Sequence, residues 1–205
     1  MKKNKSNLRY ERLHLGKGLP YKNIKDLQRR IAVYEDETAY KELFLTMFSS
    51  LTRFSTGIIQ SRETAEEIVS DVFISIWNNR SQLNEIEDLQ LYIFIAVKNN
   101  SLRKLKQQNR NATVSFDELT VELDSLYQNP EDKVLSDESM QQIETAIDHL
   151  PQRAKLIFKL AKEDRMRYKD IAALLDISVK TVDHQLSIAL RKIAVAIGSA
   201  LRKKN

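Results

Sequence analysis

The chain has 205 residues, 42% of them hydrophobic, and a formal net charge of +5. That length suits one large or two small domains with enough apolar residues for a core. The absence of Cys excludes disulfide scaffolds and thiolate metal sites, three scattered His make no metal centre, and four Gly with three Pro leave little turn chemistry for a β-protein. Long segments of 3.6-residue periodicity predict an all-α fold: two small helical domains joined by an acidic flexible linker, the C-terminal one a helix-turn-helix. The longest apolar run, Leu91 to Val97, is far short of a membrane span. The N-terminus is basic but lacks the apolar core of a signal peptide, so a cytoplasmic protein without membrane insertion is expected.

Residues 1–23 form a basic tail whose composition suits disorder. Residues 1–30 hold ten Lys or Arg against Glu11 and Asp26, net +8. A first domain is predicted over residues 24–108. Its early helix carries Tyr40, Leu43, Phe44, Met47, Phe48 and Leu51 on one stripe, and a break is expected near Gly57. In the following ETAEEIVSDVFISIWNN, Ala65, Ile68, Val69, Val72, Phe73, Ile76 and Trp77 recur at helical spacing. Thr64 and Glu67 have the spacing of a capping box. The opposite face holds Glu63, Glu66, Glu67 and Asp71, which by itself reads as a solvated acidic surface. Phe73 and Trp77 read first as core.

LQLYIFIAVKNNSLRKLKQQNR comes next. Its apolar half would suit a buried strand, but strong helix formers surround it and no partner strand is visible, so a helix is predicted. The switch to a basic second half matters. Asn99 and Asn100 offer amide donors and acceptors, while Lys98, Arg103, Lys104 and Lys106 suit phosphate contacts. Tyr92 and Phe94 could stack on unpaired bases, although each taken singly fits a core position better. Residues 109–136 lack sustained periodicity and read as a linker; residues 109–138 hold eight acids against two basic residues, net −6. Basic patches flanking an acidic segment suit a polyanion partner.

The second domain is assigned to 137–205. It opens with a helix through Met140, Ile143 and Ile147, followed by LPQRAKLIFKLAKEDRMRYKDIAALLDISVKTVDHQLSIALRKI. Three helices are predicted in that stretch: one opening at Pro151, one over Tyr168 to Leu175, and one with Ser178 as N-cap. Only Asp176 and Ile177 separate the last two, which is helix-turn-helix geometry. Val182, Leu186, Ala189, Leu190 and Ile193 form the inner face of the last helix. Lys180, Thr181, His184, Gln185, Ser187 and Arg191 remain outside, with Asp183 the one acid among them. Such groups reach base edges and phosphates. An ordinary helical hairpin with a solvated face has the same periodicity; the tight turn and acid-poor outer face favour DNA binding.

Taken in order, LQRRIAVYEDETAYKELF, ETAEEIVSDVFISIW, LYIFIAVKNNSLRKLK and the helix-turn-helix stretch resemble the sigma-70 family of RNA polymerase sigma factors. Within it they most resemble the small extracytoplasmic-function (ECF) group. The resemblance covers about residues 24–193. It implies that the first domain binds the coiled coil of the polymerase β′ subunit through the helix holding Glu67, Asp71 and Trp77. It also implies that this domain melts and holds the promoter −10 element with Lys98, Asn99, Asn100, Arg103, Lys104 and Lys106. The last helix would read the −35 element with Ser178, Lys180, Thr181, His184, Gln185, Ser187 and Arg191, and its domain would dock on the flap of the β subunit. Core polymerase and promoter DNA are then the partners, with an anti-sigma factor as regulator. Two departures stand out. Asp176 occupies a turn position where the family usually has Gly, and KNNSLRKLK is looser than the usual Arg-Asn pattern.

Three rival functions remain in view. A stand-alone helix-turn-helix regulator would need a ligand pocket or phosphoacceptor strand in the first domain, and the sequence offers neither. A helical adaptor would not explain the acid-poor patches. An enzyme would need a catalytic set, and no Ser/His/Asp group, phosphate loop or ligand cluster is visible, so neither catalysis nor a cofactor is expected.

Overall fold

The computed structural model describes residues 24–108 and 138–203, with side chains over 24–107 and 143–196. The basic tail and the acidic linker expected from the sequence lie outside the described residues. All regular structure among the described residues is helical.

Four helices build the first group: α1 (Ile24–Tyr34), α2 (Glu37–Ile59), α3 (Arg62–Asn78) and α4 (Leu89–Gln108), with a 3-10 segment Arg80–Glu85 between α3 and α4. The stripe on α2 faces inward, with Leu43, Met47 and Leu51 buried and Tyr40, Phe44 and Phe48 at its margin. Asp36 caps α2 by accepting from the Ala39 N–H at 3.0 Å. That bond, then the Arg30 guanidinium, holds the Asp36 carboxyl below its ordinary pKa. Gln28 is buried and donates through Nε2 to the carbonyls of Leu83 and Ile86, at 2.5 and 2.7 Å. One side chain thereby ties α1 to the 3-10 segment and satisfies one buried and one part-buried carbonyl.

Two sequence expectations shift here. Gly57 does not break α2. It sits inside the helix, buried, and the chain turns at Gln60, which takes a left-handed φ of 58°. One helical Gly costs only about 1 kcal/mol, less than the burial of Phe54, Ile58 and Ile59 around it contributes. The capping box also moves. The cap of α3 is Ser61, whose Oγ accepts from the Thr64 N–H at 3.3 Å, so Thr64 is already helical.

LYIFIAV lies within helix α4, and Asp88 receives the Leu91 N–H at its start at 3.0 Å. Ile93, Phe94 and Val97 are buried. A buried hydroxyl pair, Ser55 and Ser101 at 2.8 Å, joins α2 to α4.

The second group is α5 (Glu138–Asp148), α6 (Gln152–Lys162), α7 (Tyr168–Leu175) and α8 (Val179–Lys203). Pro151 precedes α6 as its N-cap rather than its first helical residue, with an extended ψ of 138°. Helices α5, α6 and α7 all pack on α8. Their shared core contains Ile143, Ile157, Phe158, Ile171, Leu174, Val182, Leu186 and Ile193. Lys155 is only 4% exposed and pairs with Asp148 at 2.8 Å, which closes α6 onto the end of α5. The two groups do not stand apart: α4 meets α7, and one hydrophobic cluster runs through both.

Candidate nucleic-acid interface

The turn between α7 and α8 places the helix-turn-helix. Helix α7 ends at Asp176, in the left-handed region at φ 55° and ψ 48°, with its N–H on the Ala172 carbonyl. Asp reaches that region at lower cost than most side chains, though at more than Gly. The Ile177 N–H also returns to Ala172 at 3.0 Å. The chain reverses in three residues, and Ser178 then caps α8, its Oγ accepting from the Thr181 N–H at 3.0 Å. The cap is what starts the helix where it does.

Burial sorts the faces of α8. Val182, Leu186, Ala189 and Ile193 are buried, and Leu190 is half-buried. Ser178, Lys180, His184, Ser187 and Arg191 are exposed, and Thr181 and Gln185 are half-buried at the edge of that face. Ser178 and Thr181 are tied to each other through their hydroxyls at 2.8 Å, so both serve the helix start. Lys180, His184 and Gln185 present side chains within the first two turns, the part of a recognition helix that enters a groove. Arg191 lies further along the same surface.

Tyr168, exposed at the start of α7, lies near Asp183; partial burial and then the Asp183 charge raise its hydroxyl pKa. Helical phase alone does not reveal this neighbour of Tyr168 across the turn.

The six residues proposed for the −10 element are brought together on the second half of α4, but in different states. Asn99, Arg103 and Lys106 are exposed. Asn100 accepts from Arg103 at 2.9 Å. Lys104 pairs with Glu67 of α3 at 3.5 Å. Lys98 is half-buried and donates from Nζ to the Leu174 carbonyl of α7 at 2.8 Å. Of the two aromatics, Tyr92 is exposed, whereas Phe94 is buried edge-on against Phe54 at 5.4 Å. Phe94 therefore cannot serve as a stacking platform.

The three residues proposed for polymerase binding do not share one surface. Glu67 and Asp71 are exposed and line a cleft of about 330 Å³ with Asn100, Arg103, Lys104 and Gln107. The acidic face of α3 and the basic end of α4 thus confront each other. Trp77 lies a third of a turn away, half-buried, 4.9 Å from Tyr40 and 4.8 Å beneath the Arg80 guanidinium. With Glu37, Thr38, Lys41 and Ile74 these aromatics line an open groove of about 610 Å³. A helix turns 100° per residue, so the six positions from Asp71 to Trp77 leave them about 120° apart.

Residues 140–193 match the family model for sigma-70, region 4. The match supports a sigma-70 family member with a DNA-binding role in transcription. It runs from α5 to the middle of α8 and includes the turn between α7 and α8 together with Ser178, Lys180, Thr181, His184, Gln185, Ser187 and Arg191. Region 4 thus accounts for the C-terminal group of helices. No curated protein matches the chain. No helix among the described residues is long and apolar enough to cross a membrane.

Proposed function

We propose that the chain is an ECF-type sigma factor: it binds core RNA polymerase and directs promoter-specific initiation. The observation that carries this reading is the region 4 match placed on a helix-turn-helix whose recognition helix exposes Lys180, His184 and Arg191. Gln185, at the edge of that face, can pair two-point with adenine, and Lys180 can reach guanine or a phosphate. Arg191, two turns on, suits a phosphate contact that fixes register without reading sequence.

In this reading α4 handles the −10 element. Its buried half anchors it in the first group, and its basic half projects Asn99, Arg103 and Lys106 toward single-stranded DNA. Tyr92 supplies the exposed aromatic ring. Glu67 and Asp71 on one side of α3, and the Tyr40–Trp77 groove on the other, offer two surfaces for the polymerase β′ coiled coil. The second domain docks on the β flap. The acidic linker threads a basic nucleic-acid channel until RNA displaces it, and an anti-sigma factor holds the protein inactive in the cytoplasm. Catalysis stays with the polymerase.

Promoter-directed transcription by core polymerase plus the purified chain tests this. Run-off product from a cognate promoter, absent without the chain, is expected. Tight site-specific binding by the free chain, with no gain on adding polymerase, would instead favour a stand-alone helix-turn-helix regulator.

A further inference from the structure

Two exposed side chains on α8 are explained neither by packing nor by the row of residues already assigned to DNA. Val179, the first residue of the helix, leaves 48% of its area in water. Asp183 is exposed and makes no hydrogen bond or ion pair with any described residue. It is also the one acid between Ser178 and Lys192. At 100° per residue, Lys180, His184 and Arg191 fall within about 40° of each other around the helix axis. Asp183 lies about 60–100° to one side of that row, and Val179, four residues earlier, stands on the same side. Tyr168 of α7 closes this side: it is partly exposed, and its hydroxyl pKa is raised by partial burial and then by the Asp183 charge. The opposite flank, at Gln185, is half-buried.

We propose that Val179 and Asp183 form a second reading edge of the recognition helix, specific for an exocyclic base amine beside a thymine methyl in the −35 element. The identity of the element rests on the sigma-factor reading, which these two residues deepen by adding determinants of sequence. Chemistry assigns their roles. An ionised carboxylate only accepts hydrogen bonds. The amine donors of the major groove are cytosine N4 and adenine N6, and an acidic side chain can accept from them. Phosphates offer it only repulsion, so a carboxylate aimed at the backbone would weaken binding to every sequence alike. Val179 has no polar atom in its side chain, and its match in the groove is the C5-methyl of thymine. Both residues lie in the first two turns of α8, the part of a recognition helix that contacts base edges.

The test is a base-substitution profile of the −35 element, taken with polymerase holoenzyme carrying the full wild-type, Asp183→Ala or Val179→Ala chain. Both positions are exposed, and Ala is the better helix former at each. Unchanged helical circular dichroism then excludes misfolding as the cause of any loss. Wild type should prefer a base with an exocyclic amine at one position by about tenfold, and the profile itself tells cytosine from adenine. Asp183→Ala should flatten that position and leave the others as they were. At a neighbouring position, wild type should favour thymine over deoxyuridine, which lacks only the methyl, by about threefold, and Val179→Ala should lose that discrimination. Asp183→Ala holoenzyme that binds every sequence more tightly would place the carboxylate against phosphates and overturn the edge. So would an unchanged profile, or a Val179→Ala holoenzyme that still separates thymine from deoxyuridine. Failure of the sigma-factor reading shows separately: the free chain would then select duplex sequences without polymerase, and the same profile taken on it still decides the edge. If neither form selects a sequence, both readings fall.

Discussion

Asp176 offers a clean perturbation of the recognition turn. It is exposed, it takes φ 55° and ψ 48°, and no Gly among the described residues has positive φ. A side chain in that region costs about 1–2 kcal/mol, at the lower end for Asp. Asp176→Gly removes that cost but gives the unfolded chain more freedom, which subtracts about 0.4–1 kcal/mol. The net gain should be about 0.5–1 kcal/mol, or a rise in Tm of about 1–4 °C for a chain of this size. Charge is the confounding factor: Asp176 is unfavourable at the end of α7 but favourable ahead of α8, so these effects oppose each other. Asp176→Asn separates the two, because Asn keeps the tolerance for the left-handed region and loses the charge. Calorimetry on all three proteins is the assay. Asp176→Gly should exceed Asp176→Asn in Tm, while both should bind duplex DNA somewhat more tightly through loss of an anion beside the recognition helix. A lower Tm for Asp176→Gly, or equal values for the two variants, would refute the backbone argument.

Lys159 carries an amine whose pKa is lowered, first by burial and then by the balance of its neighbours. Lys159→Met should therefore raise Tm, by about 2–4 °C if the gain is about 1 kcal/mol. A folded-state pKa below the unfolded value means that the unfolded chain binds more protons between the two. Wild-type stability should then rise with pH toward 10.5, and the advantage of Met should shrink there, as denaturation curves across that range would reveal. Gln185→Ala should cost about 1–3 kcal/mol at one −35 position, whereas Arg191→Ala should weaken all promoters alike and reduce the salt slope by about one unit; base-substitution profiles with each mutant holoenzyme distinguish them. Asp71→Arg should impair polymerase association without unfolding, since Asp71 is exposed; normal co-purification of the folded variant would remove that face of α3 from the polymerase surface.

The helix-turn-helix was legible because its signals are local. A proline before α6, a two-residue gap and a serine cap each act within one turn of the chain, and the apolar spacing of α8 survives intact as its buried face. The helical character of α4 was legible for the same reason. Boundaries set by tertiary contact were not. Gly57 reads as a break, yet neighbours distant in sequence hold it inside α2, and the real stop at Gln60 depends on a left-handed residue that no Gly announces. Nor does helical phase tell which of two surfaces a residue serves. Glu67, Asp71 and Trp77 share one helix, but Glu67 faces Lys104 while Trp77 lies against Tyr40, because different helices approach the two sides of α3.

The junction between the helical groups is the feature least visible in the sequence. Within each group the contacts are apolar and buried, as with Phe54 on Phe94 or Val182 and Leu186 beneath α8. Across the junction the hydrophobic cluster continues, and ion pairs and hydrogen bonds are added to it. The apolar part makes separation costly in proportion to area. Partly exposed charges exchange their partners for water, or for another charged surface, at little net cost. Nucleic acid is such a surface, and Lys98 can exchange the Leu174 carbonyl for a phosphate. The junction thus combines apolar burial, which holds the two groups together, with polar contacts that can change partner.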